Sequence, residues 1–162
     1  MKKGFTLIEL LIVIAIIAIL AGVVFVALDP GKRFADARNS ARWTDVTAVL
    51  SAIKVDQVDN GGSYLTPAIT DLTDNTNYII SADTVAPITG CDTSCSVTTA
   101  VDCVSLDGLK QEGYLANIPV SPKGVTTWST AKTGYYIFKS DLGSITTGAC
   151  DAEDNETISV SR

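Results

Sequence analysis

Hydrophobic residues dominate the start of the chain and give way to a mixed pattern further on. Residues 5–28 form a run of 24 residues in which Thr6 and Glu9 alone are polar. As a helix, this run is about 36 Å long and can cross a hydrocarbon core about 30 Å thick. The pattern therefore predicts a transmembrane helix over residues 5–28.

A second helix is predicted after an interruption at Asp29-Pro30-Gly31. Proline disfavours helix at the preceding residue, so the interruption indicates either a kink or a new helix with Asp29 as its N-cap. Apolar residues then recur at helical spacing until the glycine pair at 61–62, which predicts an amphipathic helix over residues 29–60. The apolar stripe, on which a head domain would pack, consists of Phe34, Ala37, Ala41, Trp43, Val46, Leu50 and Ile53.

Residues 61–162 are predicted to form a globular head. Residues 63–102 are mostly polar and read as loop, apart from a short apolar run at 78–80. A short helix is predicted at 106–111, and strand patterns occupy 134–139, 144–150 and 157–161. This order predicts an α+β fold, in which a long N-terminal α-helix packs against a small antiparallel β-sheet.

Composition excludes several kinds of function. The chain contains 12 Lys and Arg, 18 Asp and Glu and no histidine, for a net charge of −6. An acidic chain is a poor nucleic-acid binder, and without histidine neither a serine–histidine nor a histidine–zinc site can form. We therefore predict neither an enzyme nor a metal site. Basic residues after the apolar run, Lys32, Arg33, Arg38 and Arg42, are interleaved with acids and indicate a solvated or subunit-contacting face.

The cysteines indicate an exported head. All four lie in the second half of the chain and are predicted to form disulfides, with three pairings possible: Cys91, Cys95, Cys103 and Cys150. Lys2 and Lys3 place the start of the apolar run in the cytoplasm, whereas the basic residues after it argue the reverse. Because disulfides need an oxidising compartment, we expect the head outside.

Glu9 is the unusual residue of the apolar run. The apolar run could also be a cleavable signal, cut near Ala21, or an ordinary membrane anchor. Neither needs a charged residue, which costs roughly 2.5–3.5 kcal/mol at the middle of a membrane. Cleavage after Gly4 would leave Phe5 with a protonated α-amino group. That amine could pair with Glu9 of a neighbouring helix. At a separation of about 4 Å and a dielectric of about 20, the attraction between the two charges is about 4 kcal/mol before the cost of desolvation. Such a pair would set the offset between stacked helices.

The segment KGFTLIELLIVIAIIAIL resembles the class III signal of type IV pilins and type II secretion pseudopilins. The resemblance implies that prepilin peptidase removes the leader, residues 1–4, by cleaving after Gly4 and then N-methylates Phe5. Glu9 would become the fifth residue of the mature chain. The family further implies storage as a single-pass protein of the inner (cytoplasmic) membrane. An assembly ATPase and its membrane platform would then build a helical cell-surface filament from copies of the chain.

Three alternative functions are consistent with these features. The first is a surface pilus for adhesion, motility or DNA uptake. The first alternative is a type II secretion pseudopilin. The IPVSP segment favours it, whereas the four cysteines and Ser121 disfavour it. Ser121 takes the place of an aspartate of the family pattern, and in pseudopilins an acid in this region helps bind calcium. The second alternative is a membrane-tethered extracellular binding domain that does not polymerise.

No cofactor is expected, although oxygens for calcium remain in the last part of the chain. They belong to Asp141, Asp151, Glu153 and Asp154, which we interpret as a solvated acidic loop. In many pilins a disulfide ties the final strands to an earlier loop, and the resemblance gives that role to Cys150.

Overall fold

A computed structural model describes residues 4–83, 91, 93–123 and 127–162. Part of the predicted leader, residues 1–3, and part of the predicted loop, residues 84–90 and 92, lie outside the described residues. The chain divides into two compact units, Met1–Ala35 and Asp36–Arg162. The first unit contains helix α1 (Leu7–Leu28) and the start of helix α2 (Pro30–Asp59).

Helix α1 begins and ends at recognisable caps. Thr6 is the N-cap, and Asp29 closes the helix in a left-handed conformation with φ 38°. Pro30 then opens α2, and the Asp29 carboxylate and carbonyl accept hydrogen bonds from the backbone N–H groups of Lys32 (3.4 Å) and Arg33 (3.2 Å). Of the two alternatives left by the sequence, the structure therefore has the new helix. Proline suits this position because the first N–H of a helix needs no partner within it.

A mixed five-stranded sheet forms most of the second unit. Its strands are β1 (Thr76–Ser81), β2 (Ala100–Ser105), β3 (Tyr135–Lys139), β4 (Ile145–Ala149) and β5 (Ser159–Ser161), in the order β2-β1-β3-β4-β5. Two short helices, α3 (Pro67–Thr70) and α4 (Asp107–Gln111), complete the element list. The predicted α+β class, with a long N-terminal helix against a sheet, is confirmed.

The sheet differs from the prediction at one edge. Neighbouring strands are antiparallel except β1 and β2, which run parallel, so the expectation of a purely antiparallel sheet was wrong. Residues 82–99 connect β1 to β2, and this length permits the crossover that a parallel pair needs. Strand β2, AVDCVS, begins inside the segment 63–102 that was predicted as loop, and its sequence has neither an aromatic residue nor the apolar–polar alternation that marks a strand.

The core lies between α2 and the sheet. Val46, Val49 and Ile53 of α2 are buried in one cluster with Ile137 and Ile145 of the sheet. Each fully buried aliphatic side chain of this size contributes about 1.5–3 kcal/mol. The Thr147 hydroxyl also donates a hydrogen bond (3.1 Å) to the Val46 carbonyl, which couples β4 to the helix backbone.

The apolar stripe predicted for the amphipathic helix is only half correct. Its C-terminal part, including Val46, is buried, whereas Phe34, Ala37, Ala41 and Trp43 are exposed. Polar Asn39 and Arg42 continue the buried line instead, with 3% and 0% of their surface exposed. Periodicity misplaced the line because hydrophobicity was taken as the sign of burial, and these two side chains are buried with polar partners.

One disulfide joins β2 to the segment before it, and the other joins that segment to the end of β4. Cys91 is bonded to Cys103 and Cys95 to Cys150, with Cα–Cα distances of 6.3 Å and 4.8 Å. Of the three pairings that the sequence allowed, this is the one in the structure. The second bridge connects the end of β4 to the segment before β2, as the resemblance implied for Cys150.

Candidate functional site

The predicted processing site lies before the first helical turn. Gly4 and Phe5 precede the N-cap, and Phe5 is 85% exposed. No described atom lies within 4 Å of the place where a Cβ on Gly4 would stand, apart from its chain neighbours. The peptide bond between Gly4 and Phe5 is therefore open to a protease, which needs a non-helical segment as its substrate.

Glu9 forms a capping box with Thr6. The Thr6 backbone N–H and hydroxyl donate hydrogen bonds to Glu9 Oε2 (2.8 Å and 2.6 Å), and the Glu9 backbone N–H donates to Thr6 Oγ1 (3.3 Å). The carboxylate thus lies at the positive end of the α1 dipole and satisfies an N–H group that the helix leaves free. Sequence reasoning missed this role, although Thr6-x-x-Glu9 has the spacing of a capping box.

The capping box uses one of the two carboxylate oxygens of Glu9. Within the described residues, Glu9 Oε1 makes no hydrogen bond. A carboxylate has acceptor sites on both oxygens. Glu9 can therefore keep its own helix capped while it accepts a hydrogen bond from a cationic donor on a neighbouring subunit.

Helix α1 exposes its whole surface. None of its 22 residues is buried. Among the described residues, one helical stretch is long and apolar enough to cross a membrane, with a mean hydropathy of 3.3 in its most apolar window, near the N-terminus. Ala18 and Gly22 line a shallow groove on this helix, and small residues four positions apart allow close helix–helix approach. A helix that is apolar all round needs lipid or other helices as its surroundings.

In the head, the interface between α2 and the C-terminal loop is ionic. Glu153 accepts hydrogen bonds from Arg38, with Nε at 2.7 Å and Nη2 also in contact, and from Arg42 Nη1 at 2.9 Å. The Arg38 hydrogen bond, reinforced by Arg42, lowers the pKa of Glu153 to about 2. Asn39 donates from Nδ2 to the Glu153 carbonyl (2.9 Å), and its Oδ1 accepts from the Glu153 backbone N–H (3.0 Å). This cluster, formed by Arg38, Asn39, Arg42 and Glu153, is called the arginine clamp below.

The arginine clamp corrects the interpretation of the basic residues. Arg42 is buried and Arg38 is paired within its own chain, so the prediction of a solvated or subunit-contacting face is wrong for these two. The acid that explains them lies 111 positions after Arg42. No local pattern links the two, and the only signal was the alignment of Arg42 with Val46 on one helix face.

The candidate calcium ligands are not brought together. Asp141 and Asp154 are exposed, Asp151 is half-buried, and Glu153 belongs to the arginine clamp. Within the described ranges there is no group of three or more residues of the types that hold metals. Ser121, for which the resemblance implied an acid in pseudopilins, accepts a hydrogen bond from Arg42 Nε at 3.0 Å.

Comparison with known proteins identifies the N-terminal segment. Residues 1–25 match the family model described as the prokaryotic N-terminal methylation motif, the class III signal of type IV pilins and pseudopilins. The match supports a type IV pilin-like or pseudopilin precursor, anchored in a membrane before assembly and processed by a prepilin peptidase. Comparison of the chain with curated proteins and with solved structures gives no match.

Proposed function

We propose that the chain is a structural subunit of a type IV pilus or related filament, cleaved after Gly4, N-methylated at Phe5 and polymerised through α1. One observation carries the proposal: the methylation motif leads into a 22-residue apolar helix none of whose residues is buried in its own chain. Lipid would cover this surface before assembly and the helices of other subunits after it. Exchanging one apolar environment for another costs little apolar burial.

In this filament Glu9 sets the offset between subunits. The α-amino group of Phe5 from one subunit pairs with the free Oε1 of Glu9 on a neighbour. At about 4 Å and an effective dielectric of 20, the attraction is about 4 kcal/mol before desolvation. A chain outside the filament retains the capping box, which reduces the cost of holding the charge in lipid but leaves half of the carboxylate unpaired.

The remaining partners follow from this role. A prepilin peptidase processes the chain, an assembly ATPase with its membrane platform extracts it, and other copies of the chain receive it. The head would lie on the filament surface outside the cell, where its two disulfides are stable. We assign it no catalytic role and no nucleic-acid ligand, because the chain has no histidine and a net charge of −6.

The decisive experiment compares Glu9→Gln with Thr6→Ala in producing cells. Glutamine keeps an oxygen that can accept the capping hydrogen bonds but removes the charge, whereas Thr6→Ala keeps the charge and removes the capping hydroxyl. Filaments are sheared from the cells, and the N-terminus of the chain is read by mass spectrometry in both filament and membrane fractions. We expect N-methylated Phe5 in wild-type filaments, processed Glu9→Gln retained in the membrane, and Thr6→Ala assembled.

Other outcomes contradict the proposal. Filaments of Glu9→Gln as abundant as wild type would remove the registry role of Glu9. An intact Met1 found only in membranes would indicate the non-polymerising tether, and a terminus near Ala21 a secreted domain.

The pseudopilin alternative retains the same assembly chemistry. The IPVSP segment before β3 favours it, whereas the two disulfides favour a surface filament. Wild-type filaments recovered from the cell surface support the pilus. Loss of protein secretion in a strain lacking the chain, without such filaments, would support the pseudopilus.

A further inference from the structure

A cation enclosed by oxygens lies inside the head. The side chain of Arg42 is completely buried. Its guanidinium donates to Ser121 Oγ (3.0 Å), Asn39 Oδ1 (2.8 Å), Glu153 Oε1 (2.9 Å) and the Pro122 carbonyl (3.2 Å). These acceptors come from α2, from the segment before β3 and from the loop after β4. One side chain therefore connects three segments that are distant in sequence.

Three of the four acceptors are of the kinds that proteins use for calcium. Calcium takes carboxylate, amide and backbone carbonyl oxygens, usually six to eight of them at about 2.3–2.6 Å. Here three such oxygens and the Ser121 hydroxyl surround a planar guanidinium, which donates four hydrogen bonds to them. The pseudopilin resemblance implies calcium, but the residues present here do not fit it, because the cation that these oxygens already enclose is the Arg42 guanidinium.

The one carboxylate of the group is also fully used. Glu153 Oε1 accepts from Arg38 Nε and Arg42 Nη1, and Oε2 is in contact with Arg38 Nη2. A divalent ion would have to displace both arginines and would then lie beside two uncompensated positive charges, one of them buried. Binding of calcium to Glu153 is therefore disfavoured by charge as well as by space.

We infer that the buried Arg42 guanidinium is the cation that closes the 119–122 and 150–157 segments onto α2, so that the head is stable without calcium. The inference concerns the folded head alone and holds whether or not the chain forms filaments.

Among the residues that the structure describes, Asp151 is the candidate calcium ligand that has a buried oxygen without a hydrogen bond. Asp151 Oδ2 is buried and has no hydrogen-bond partner in the part of the chain that the structure describes. A single carboxylate does not make a calcium site, since the ion needs several oxygens. Because this oxygen has no partner within the described residues, Asp151→Asn serves as a variant in the test.

The test measures thermal unfolding of the full chain in detergent micelles by near-ultraviolet circular dichroism. Each sample is measured with millimolar calcium and with excess EDTA. Wild type is expected to have the same midpoint in both conditions. Arg42→Met, which keeps the length of the side chain and removes its charge, is expected to lower the midpoint by more than about 10 °C in both. Lys32→Met, which removes an exposed cation from the same helix, should change it little.

A higher wild-type midpoint in calcium than in EDTA would overturn the inference, and its loss in Asp151→Asn would locate the ion. If Arg42→Met does not fold, Arg42→Lys replaces it. Lysine supplies a charge but not the planar fork, so its midpoint should be lower than that of wild type and equally indifferent to calcium. An Arg42→Lys variant as stable as wild type would also contradict the inference.

Discussion

Acid should weaken the head through the carboxylate of Glu153. In the folded chain the hydrogen bonds from Arg38 and Arg42 lower the pKa of Glu153 from 4.5 to about 2. Because the pKa is lowered by folding, the charged form stabilises the folded state. This contribution is complete above about pH 4.5, which is the value for the unfolded chain, and is lost as the pH falls towards 2.

The size of the effect has an upper bound. At about 1.36 kcal/mol per pKa unit, the lowering from 4.5 to about 2 corresponds to at most about 3.4 kcal/mol. Arg38 is 32% exposed, so water and salt screen part of its attraction for Glu153. We therefore expect a loss of about 1–2 kcal/mol in the free energy of unfolding.

The measurement is urea denaturation of the full chain in micelles at a series of pH values, for wild type and Glu153→Gln. Glutamine cannot lose a charge on acidification, so the stability difference between the two proteins should be largest at neutral pH. It should then shrink between about pH 4.5 and 2. Asp141→Asn, which removes an exposed carboxylate in the β3–β4 turn, is the control and should show no such convergence. If wild type and Glu153→Gln lost stability in parallel across this range, the proposed linkage would be wrong.

Three further predictions concern other contacts of the head. Gly134 has φ +81°, and a Cβ at this position would lie 2.5 Å from a buried indole ring. Gly134→Ala should therefore lower the free energy of unfolding by about 2 kcal/mol or more. An unchanged urea midpoint would contradict this prediction. The Tyr135 hydroxyl donates to Asp45 Oδ2 at 2.5 Å, and burial raises the pKa of Asp45. Tyr135→Phe should raise the pKa of Asp45 further and lower the free energy of unfolding by about 1–2 kcal/mol at neutral pH. The loss of stability should be smaller once acid protonates Asp45. A loss that does not depend on pH would refute the pairing. Replacing the Cys95–Cys150 bridge by alanines opens a 55-residue loop and should lower the free energy of unfolding by about 4 kcal/mol. The Cys91–Cys103 bridge closes a loop of 12 residues, and its loss should lower the free energy by about 3 kcal/mol. If loss of the shorter loop lowered the melting temperature more, this loop-length account would be wrong.

Local patterns predicted most of the elements. The glycines at 61 and 62 end α2 as expected, since both have positive φ and the N–H of Gly62 bonds to the carbonyl of Gln57. Strands β3 to β5 also lie within their predicted ranges, because aromatic residues mark β3 and β-branched residues mark β4 and β5. Strand β2 was missed because its place depends on pairing with β1 rather than on its own composition.

The residues of the candidate site also differ in how far the local sequence indicates their roles. Glu9 was recognisable because a charge inside an apolar run needs a reason, and its capping bond to Thr6 could have been read from the spacing of the two residues. The burial of Arg42 could not be read from the sequence. A buried guanidinium is tolerated only when oxygens from other segments surround it, and nothing near Arg42 in the chain supplies all of them.

The sequence by itself determined the apolar helix, its motif and the α+β class, because each depends on residues within a few turns of one another. Tertiary structure alone decided which cysteines pair, that β2 runs parallel to β1, and that Arg42 is buried against Glu153. These features join positions that are 12 to 111 residues apart. Each is stable only after the rest of the head has brought its partners within bonding distance, so no local preference of the chain specifies it.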